Sequence, residues 1–428
     1  MRLLLITLLL LNFTSVFAAN NLIDFLKSAY KNNPKLNAER ENLKAIKENI
    51  NISKSEFLPS ISLSGSIDKN KTSNKTSQTG SSLEGTSLDT SKKTISVDQK
   101  IFQGFEGYNS LKKSELEVKQ GNYKLKDVEQ EILLAAAESY FDFIYKSKKL
   151  EFNLSNVDLF ERQLESDSSR LQKGEITLTD LAQSESSLAG ARADLISART
   201  ELLTTKTDFE RITRISVPKE FSKNISLELD LPLNLDEALK SSSIKNPKLL
   251  ISRLDYEISK KDLSIKKAQL SPSATLNYSK SENENLSSTV DQVDEQSVKA
   301  TITWPIIKGG KNYSSIKKYR FKQKQANLVL QDTENLVKTS TTNAWSVYQS
   351  AKGVLEATKA QVQAAEIANE GITLEYDSGS TRTTLEVIQS RSLLLSARIS
   401  FAKAERDLII SKLNLLAVIG SLSLSSIK

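Results

Sequence analysis

The sequence of 428 residues contains neither cysteine nor histidine. Without these residue types the chain can form no disulfide, no zinc site with Cys/His ligands, and no Ser-His-Asp or Cys-His catalytic system. Composition does not exclude a hydrolase that uses only carboxylates, but the spacing of the acidic residues gives it no support. We therefore predict that the protein is not an enzyme, with no catalytic residue, no metal site and no cofactor.

Glycine, proline and apolar residues are also scarce. The chain has 14 Gly and 7 Pro, and hydrophobic residues make up 38% of it, whereas globular proteins are about 45–50% apolar. A chain of this length would ordinarily form several compact domains. Low hydrophobicity together with few helix-breaking residues favours long, exposed helices instead.

No apolar run is long enough for a membrane-spanning helix, which needs about 20 residues. The strongest is the stretch 3–11, which follows Arg2 and precedes a small-residue ending at Ala18. This arrangement is typical of a secretory signal peptide, which we predict over residues 1–18. The mature protein is then exported, and it has no N-terminal lipid because no cysteine follows the signal.

The formal net charge is +7, from 59 Lys+Arg and 52 Asp+Glu. The lysines are spread along the chain and usually alternate with acidic residues, as in the stretch 124–127. This distribution indicates solvated helix faces rather than a basic patch for nucleic acid. We therefore predict no nucleic-acid partner.

The few prolines reveal an internal duplication. Pro34 and Pro247 are 213 residues apart, as are Pro59 and Pro272, and the residues around Pro34 recur around Pro247. The predicted segments are a first structural repeat at 19–217, a linker at 218–234 and a second structural repeat at 235–428.

Each repeat contains two segments in which apolar and polar residues alternate. The predicted strands are 60–68, 94–103, 273–279 and 297–305, and the polar segments 68–93 and 279–297 between them are predicted loops. Such strands, with one apolar and one polar face, are typical of membrane β-barrels, although a soluble hairpin with one buried face has the same pattern. The membrane interpretation directs six side chains toward lipid: Ile61, Leu63, Val97, Leu276, Ile302 and Trp304.

The remainder of each repeat has helical periodicity. Shorter helices are predicted at 34–57 and 247–270, and long helices at 104–173, 176–216, 310–376 and 382–420. In the second and fourth of the long helices an apolar residue recurs every seven positions, from Leu181 to Phe209 and from Val387 to Leu415. This spacing indicates coiled-coil packing.

Three glycines stand between a predicted strand and a predicted helix. We assign Gly104, Gly309 and Gly310 to strand-helix turns. The stretch from Gly309 to Lys311 is not a Walker A motif, because it lacks the earlier glycine and is followed by Asn312. The chain is therefore expected to bind no nucleotide and to have no energy source of its own.

A single chain cannot close the predicted sheet. Four strands leave two open edges, and open edges are not tolerated in lipid. Three copies would supply twelve strands, a suitable number for an open pore. We therefore expect a homotrimer whose strands contact membrane lipid.

The order, duplication and spacing of these elements resemble the TolC-like outer membrane efflux proteins over essentially the whole mature chain. The supporting stretches are 57–60 at the first strand entry, 304–310 at the second strand exit and 376–383 between the last two helices. The resemblance implies an α+β membrane protein, in which a duplicated strand-strand-helix-helix unit forms a trimer with a shared twelve-stranded β-barrel and a long α-helical coiled-coil barrel. It also implies location in the cell outer membrane, where the strands contact outer membrane lipid, with the helical tunnel in the periplasm.

The function that this resemblance implies is a passive exit duct of a tripartite efflux or type I secretion system. The partners would be a periplasmic adaptor (membrane fusion) protein and an inner-membrane ABC or proton-driven transporter. An alternative is a periplasmic coiled-coil structural or adaptor protein without a membrane barrel, which explains the heptads but leaves the four strands without a role.

Candidate functional residues lie near Gly174 and Gly379, between the long helices. The stretches 177–180 and 383–386 each fit a capping box, in which a threonine and an acid three residues later satisfy free backbone N–H groups. The resemblance adds a transport role at the same place. It implies a periplasmic gate formed by Thr179, Asp180, Tyr376 and Arg382, and a constriction ring formed by Glu386 and Gln389.

Two features depart from the family pattern. Gln389 replaces a residue that is usually acidic, and one extra residue lies between Gly379 and Arg382. We expect Asp180 and Arg382, at the ends of adjacent helix pairs, to form charge-assisted contacts that also involve Tyr376 and hold the gate closed.

Overall fold

A computed structural model gives the structure of the chain. It describes residues 22–73, 75–76, 78–80, 82–83, 86–217, 227, 229–287, 290–378 and 382–427. The predicted signal peptide, most of the predicted linker and the position of Gly379 lie outside the described residues.

Most of the described residues are helical. In chain order, helices α1 to α8 are Leu22–Asn32, Pro34–Ser55, Glu106–Gln172, Leu178–Thr213, Leu235–Lys245, Pro247–Ala268, Lys311–Asp377 and Thr384–Val418. Their lengths repeat between the two halves: 11 and 22 residues for the short helices, then 67 residues twice, then 36 and 35. None of the helices in the described part of the chain combines the length and apolar character that a membrane crossing requires.

Helices α1 and α5 are additions to the predicted elements. In α1, Leu22, Phe25, Leu26 and Ala29 are buried. Their spacing of i, i+3, i+4 and i+7 is that of an amphipathic helix, so the sequence contained enough information to identify this element.

The strands form one large and one small antiparallel sheet. In chain order, β1 to β6 are Ser60–Thr72, Lys75–Thr76, Ser82–Leu83, Thr86–Phe102, Ser273–Ser287 and Val290–Thr303. The large sheet has the order β1-β4-β5-β6, and β2 pairs with β3. Strands β1 and β6 are therefore the two edges of the large sheet.

The strands are longer than the sequence analysis predicts, and much of each predicted loop is strand. Strand β1 continues to Thr72, where the residue opposite is Thr86. The outer part of this hairpin is polar on both faces apart from Leu88, so it has no alternation to detect. Backbone pairing holds it instead, and a Lys69–Asp89 ion pair of 3.5 Å bridges the two strands.

The register places most of the apolar strand residues on one face of the large sheet, because residues paired directly across a sheet share a face. This face includes Ile61, Leu63, Val97, Leu276 and Ile302, and Trp304 follows directly after β6. Ile61 and Ile302 are 74% and 77% exposed in the isolated chain. An apolar face of this extent marks an interaction surface.

The chain divides into two compact units. The first comprises the described residues up to Asn37, Asp127–Asn246 and those from Val337 onward, and the second comprises Ala38–Lys126 and Pro247–Leu336.

An aromatic cluster lies at the core of the first unit. Phe25, Tyr140 and Phe209 are fully buried, and the rings of Phe25 and Phe209 meet edge to face with centroids 5.0 Å apart. Such pairs contribute about 0.5–1.5 kcal/mol beyond the area that they bury. Burial raises the pKa of Tyr140 to about 12.

Heptad residues pack α4 against α3 in the same unit. Leu188 and Leu195 contact Val157 and Phe160 in one buried cluster, which also includes Ile388 of α8. The heptad residues of α4 and α8 are all buried or half-buried. The seven-residue spacing therefore marks the face along which these helices pack.

The second unit contains the large sheet together with α2 and α6. Gly104, between β4 and α3, has a φ of 58°, and a Cβ there would lie 2.6 Å from the carbonyl oxygen of Ala268. Only glycine fits this turn without displacement of the backbone. Gly309 and Gly310 precede α7 with φ values of 53° and 76°.

Candidate functional site

The turn between α3 and α4 is organised by a capping box. The Thr177 backbone N–H and hydroxyl donate to Asp180 Oδ2 at 3.0 and 2.7 Å, and the Asp180 backbone N–H donates to the Thr177 hydroxyl at 3.3 Å. The hydrogen bonds from the Thr177 backbone and side chain lower the pKa of the Asp180 carboxyl. The predicted cap is confirmed, and it occupies the carboxylate that the sequence analysis assigns to the gate.

The turn between α7 and α8 repeats this arrangement and adds an ion-pair bridge. Glu386 accepts from the backbone N–H of Thr383 at 2.8 Å, which confirms the second capping box. Arg382 donates to Glu375 at 2.6 Å and to Glu386 at 2.9 Å, so its guanidinium connects the end of α7 to the start of α8.

Protonation of this bridge is set by its hydrogen bonds. Those from the Thr383 backbone and from Arg382 lower the pKa of Glu386, and those to Glu375 and Glu386 raise the pKa of Arg382. The formal charges of Glu375, Arg382 and Glu386, two acids and one base, sum to one negative charge for each copy of the chain.

A buried polar network lies beside this bridge and is centred on Asp167 of α3. Asp167 is 0% exposed. The Tyr376 hydroxyl donates to Asp167 Oδ1 at 2.9 Å, Gln163 donates to the same oxygen at 2.9 Å, and the Ser184 hydroxyl donates to Oδ2 at 2.5 Å. Buried carboxylates are stabilised when donors surround them in this way. The network joins α3, α4 and α7.

Tyr376 is the member of this network that also reaches α8. Its hydroxyl lies 2.9 Å from that of Thr384, and the Arg170 guanidinium stacks 4.4 Å from the centre of its ring. Burial is the main cause that raises the pKa of Tyr376. Tyr376 therefore connects α7 to α3 and α8 of the same chain.

The structure brings some of the predicted site residues together and separates others. Arg382 contacts Glu386, but Asp180 contacts neither Arg382 nor Tyr376 in the described part of the chain. Thr179 and Gln389 are exposed. Tyr376 instead donates to Asp167, which the sequence analysis did not single out. An Asp180–Arg382 contact between copies remains a prediction.

No group of acidic residues in the described ranges is arranged to hold a metal ion. The turn residues offer exposed charge and capped helix ends.

Comparisons with known proteins match this architecture. The model of the family described as outer membrane efflux protein matches residues 25–213 and 238–421. The chain is 26% identical over 399 residues to the outer membrane efflux protein BepC of Brucella suis, covering 93% of this chain and 85% of BepC. It is 24% identical to the outer membrane protein TolC of Vibrio cholerae, covering 96% and 93% of the two chains.

A solved structure shows the same fold. The Campylobacter jejuni CmeC outer membrane channel superimposes with a TM-score of 0.82 at 14% identity, over 94% of this chain and 87% of that chain. The match of the family model over both repeats, the similarity to full-length relatives and the shared fold agree with one another. The chain belongs to the outer membrane efflux protein family, and it is a transport protein of the outer membrane.

Proposed function

We propose that the protein is the passive exit duct of a tripartite efflux or type I secretion system. Three copies combine their sheets into one twelve-stranded β-barrel, and their helices enclose a tunnel in the periplasm. A periplasmic adaptor and an inner-membrane ABC or proton-driven transporter supply the cargo and the energy.

The observation that carries this proposal is the large sheet of the second unit. It has four strands, one exposed apolar face and two edges, β1 and β6, at which no further strand is paired in the described residues. Backbone groups at such edges must find partners within a membrane. Further copies of the same chain can supply those partners and close the sheet.

The helices support the proposed tunnel. Helices α3 and α7 have 67 residues each, which corresponds to about 100 Å at 1.5 Å per residue. The chain also has charged turns at the ends of these helices, where a passage could narrow. We assign the gate to Thr179, Asp180, Tyr376 and Arg382, and the constriction ring to Glu386 and Gln389.

Passive conduction follows from what these residues can do. Gly309 and Gly310 form a turn before α7, and the sequence around them is not a Walker A motif. The residues around the turns can admit or exclude solutes by charge and by packing, and neither effect drives transport. Energy must therefore come from a partner.

Mass and conductance measured on the same detergent-purified preparation test the proposal. Light scattering should give three times the mass of the mature chain, and the protein should form discrete conductance steps in planar lipid bilayers. A monomer that forms no conductance steps would contradict the duct.

Deletion of the gene tests the transport role. It should raise the sensitivity of cells to exported compounds or abolish secretion of a polypeptide, and a plasmid copy should restore the phenotype. Unchanged export of every cargo tested would contradict the role, even if the purified protein conducted ions.

A further inference from the structure

We propose that β6 of one copy pairs with β1 of the next in one defined register, in which Lys71 lies opposite Asp294 of the partner subunit. The proposal rests on the trimer of the proposed function and specifies which residues meet where its copies join. Two independent observations support it: the slope of the apolar residues across the sheet, and the charges on the two edge strands.

The apolar residues on the shared face of the large sheet form a band across the four strands. This apolar band consists of Ile61, Leu63 and Ile67 on β1, Ile95, Val97 and Ile101 on β4, Ala274, Leu276 and Tyr278 on β5, and Val298, Ala300, Ile302 and the following Trp304 on β6. Ile101 lies at a register shift, beside Phe102, which is opposite Ala274. In a membrane barrel such a band is level with the lipid. Its slope relative to the strand pairing therefore measures the strand tilt.

The midpoint of the apolar band moves toward the helices from β1 to β6. Ser64, the midpoint on β1, is opposite Thr94, whereas the midpoint on β4 is Asp98, four residues nearer the helix end. On β5 the midpoint is Leu276, one residue nearer the helices than Asn277, which is opposite Asp98. On β6 the midpoint is Thr301, one residue nearer the helices than Ala300, which is opposite Leu276. The total shift within one copy is six residues.

Barrel geometry limits how much further shift is possible. Barrel strands tilt by about 35–45°, neighbouring strands are about 4.8 Å apart and each residue rises about 3.3 Å. These values require a shift of about 1–1.5 residues per strand, or about four to six residues per copy of four strands. The shift of six residues within one copy already equals the upper value, so the junction between copies adds no further shift.

The register at the junction follows directly. The midpoints of the two edge strands meet, so Thr301 lies opposite Ser64 of the partner subunit. A slip of one residue would turn one apolar band to the opposite face of the sheet, so the nearest alternative registers are two residues away.

Side chains on the two edges match in this register. Leu63, Ile67 and Lys71 lie opposite Ile302, Val298 and Asp294 of the partner subunit. Apolar residues thus meet apolar residues, and a lysine meets an aspartate just beyond the apolar band. Opposite charges placed directly across a pair of strands stabilise it.

Both charges are poorly matched within their own chain. The residue opposite Asp294 on β5 is Glu282, which has the same sign, and the residue opposite Lys71 on β4 is Ser87. By contrast, Lys69 already has an acidic partner, Asp89, in the same hairpin. Lys71 and Asp294 therefore benefit most from a neighbouring copy.

The alternative registers lose this match. A shift of two residues in either direction would place Lys71 opposite Gln292 or Gln296 of the partner subunit, and neither carries a charge. Ile67 would then lie opposite Gln296 or Ala300 of the partner subunit. Only the register with aligned midpoints satisfies both the band and the charges.

Disulfide cross-linking tests the register, since the chain has no cysteine of its own. The test variant carries Ser64→Cys with Thr301→Cys, and the controls combine Ser64→Cys with Lys299→Cys or with Thr303→Cys. Directly opposed Cα atoms are about 4.5–5.5 Å apart, within the range for a disulfide. A shift of two residues increases the separation to about 8 Å, beyond that range.

Mild oxidation of outer membranes should convert the test variant into a reducible covalent trimer, with a yield about tenfold above either control. A trimer that cross-links better through a control pair, or through none of the three pairs, would overturn the register and leave the duct intact. A protein that is monomeric by light scattering before oxidation would overturn the proposed function as well.

A charge exchange tests the ion pair separately. Lys71→Glu should lower the temperature at which the trimer dissociates. Asp294→Lys also gains Glu282 as an oppositely charged partner within its own chain, so its effect is measured in two backgrounds: it should raise the dissociation temperature more in the Lys71→Glu variant than in the parent protein. Equal effects in the two backgrounds would overturn the assignment of this pair.

Discussion

At the scale of single residues, the hydroxyl of Tyr376 donates to a carboxylate that water cannot reach. Asp167 is fully buried and Tyr376 is 4% exposed, so Tyr376→Phe would remove one of three donors from a buried charge. Loss of such a hydrogen bond costs about 1–3 kcal/mol. We expect the variant to lose helical circular dichroism at a lower temperature than the parent protein.

A matched control separates this effect from any loss of a tyrosine hydroxyl. Tyr313, near the start of the same helix α7, is 74% exposed. Tyr313→Phe should leave the melting temperature unchanged. Equal melting temperatures for the two variants would show that the contact with Asp167 contributes nothing to stability.

A second prediction at this scale concerns pH and the cap of α8. The pKa of Glu386 is lower in the folded chain than in an unfolded one, because the Thr383 backbone and Arg382 donate to the carboxylate. The cap therefore contributes stability above the ordinary glutamate pKa of about 4.3, and the contribution is lost as the pH falls through the lower folded value. Protection of the first amides of α8 from hydrogen exchange should fall between about pH 5 and pH 3.

Glu386→Gln separates the effect of Glu386 ionisation from the effect of the capping hydrogen bonds. Glutamine can occupy the same capping position without a titrating group, so this variant should keep the protection at both pH values. If the variant and the parent protein lose amide protection equally as the pH falls, a group other than Glu386 is responsible for the loss.

At the scale of elements, the sheet register predicts which strand positions tolerate charge. Ile302 belongs to the apolar band, whereas Thr301 lies on the opposite face. Arginine at a lipid-facing position near the membrane midplane costs about 2–4 kcal/mol. Ile302→Arg should therefore reduce the amount of protein assembled in the outer membrane, as measured by fractionation, and Thr301→Arg should reduce it much less. Equal loss at both positions would contradict the membrane face.

The elements also show what a sequence can reveal. Capping boxes, heptads and glycine turns depend on residues close together in the chain, and they are readable because local geometry determines them. The outer halves of β1 and β4 were not readable, since their polar faces leave no alternation. Asp167 was not recognisable either. It stands among serines in a polar stretch, and it becomes buried only when α3, α4 and α7 pack together.

At the scale of the whole molecule, the ring assignment must account for Arg382. In a trimer, three copies of Glu386 alone would place three negative charges at the aperture. The structure pairs each Glu386 with Arg382, which also bonds Glu375. The net charge of this group is one negative charge per copy, so the parent channel should prefer cations only moderately.

The cation preference of the channel should then follow the net charge that substitutions give to this group. Arg382→Ser removes a positive charge and Gln389→Asp adds a negative one, so each makes the net charge more negative by one per copy. Both should increase the preference for cations in reversal-potential measurements. Glu386→Gln leaves Glu375 and Arg382 to neutralise each other and should largely abolish it. Glu257→Gln removes an acid from α6, where it pairs with Lys260, and should leave the selectivity unchanged.

If Glu386→Gln had no more effect than this control, Glu386 would serve only as a helix cap. If instead Arg382→Ser raised conductance without changing selectivity, Arg382 would hold the gate closed without contributing to the charge of the ring.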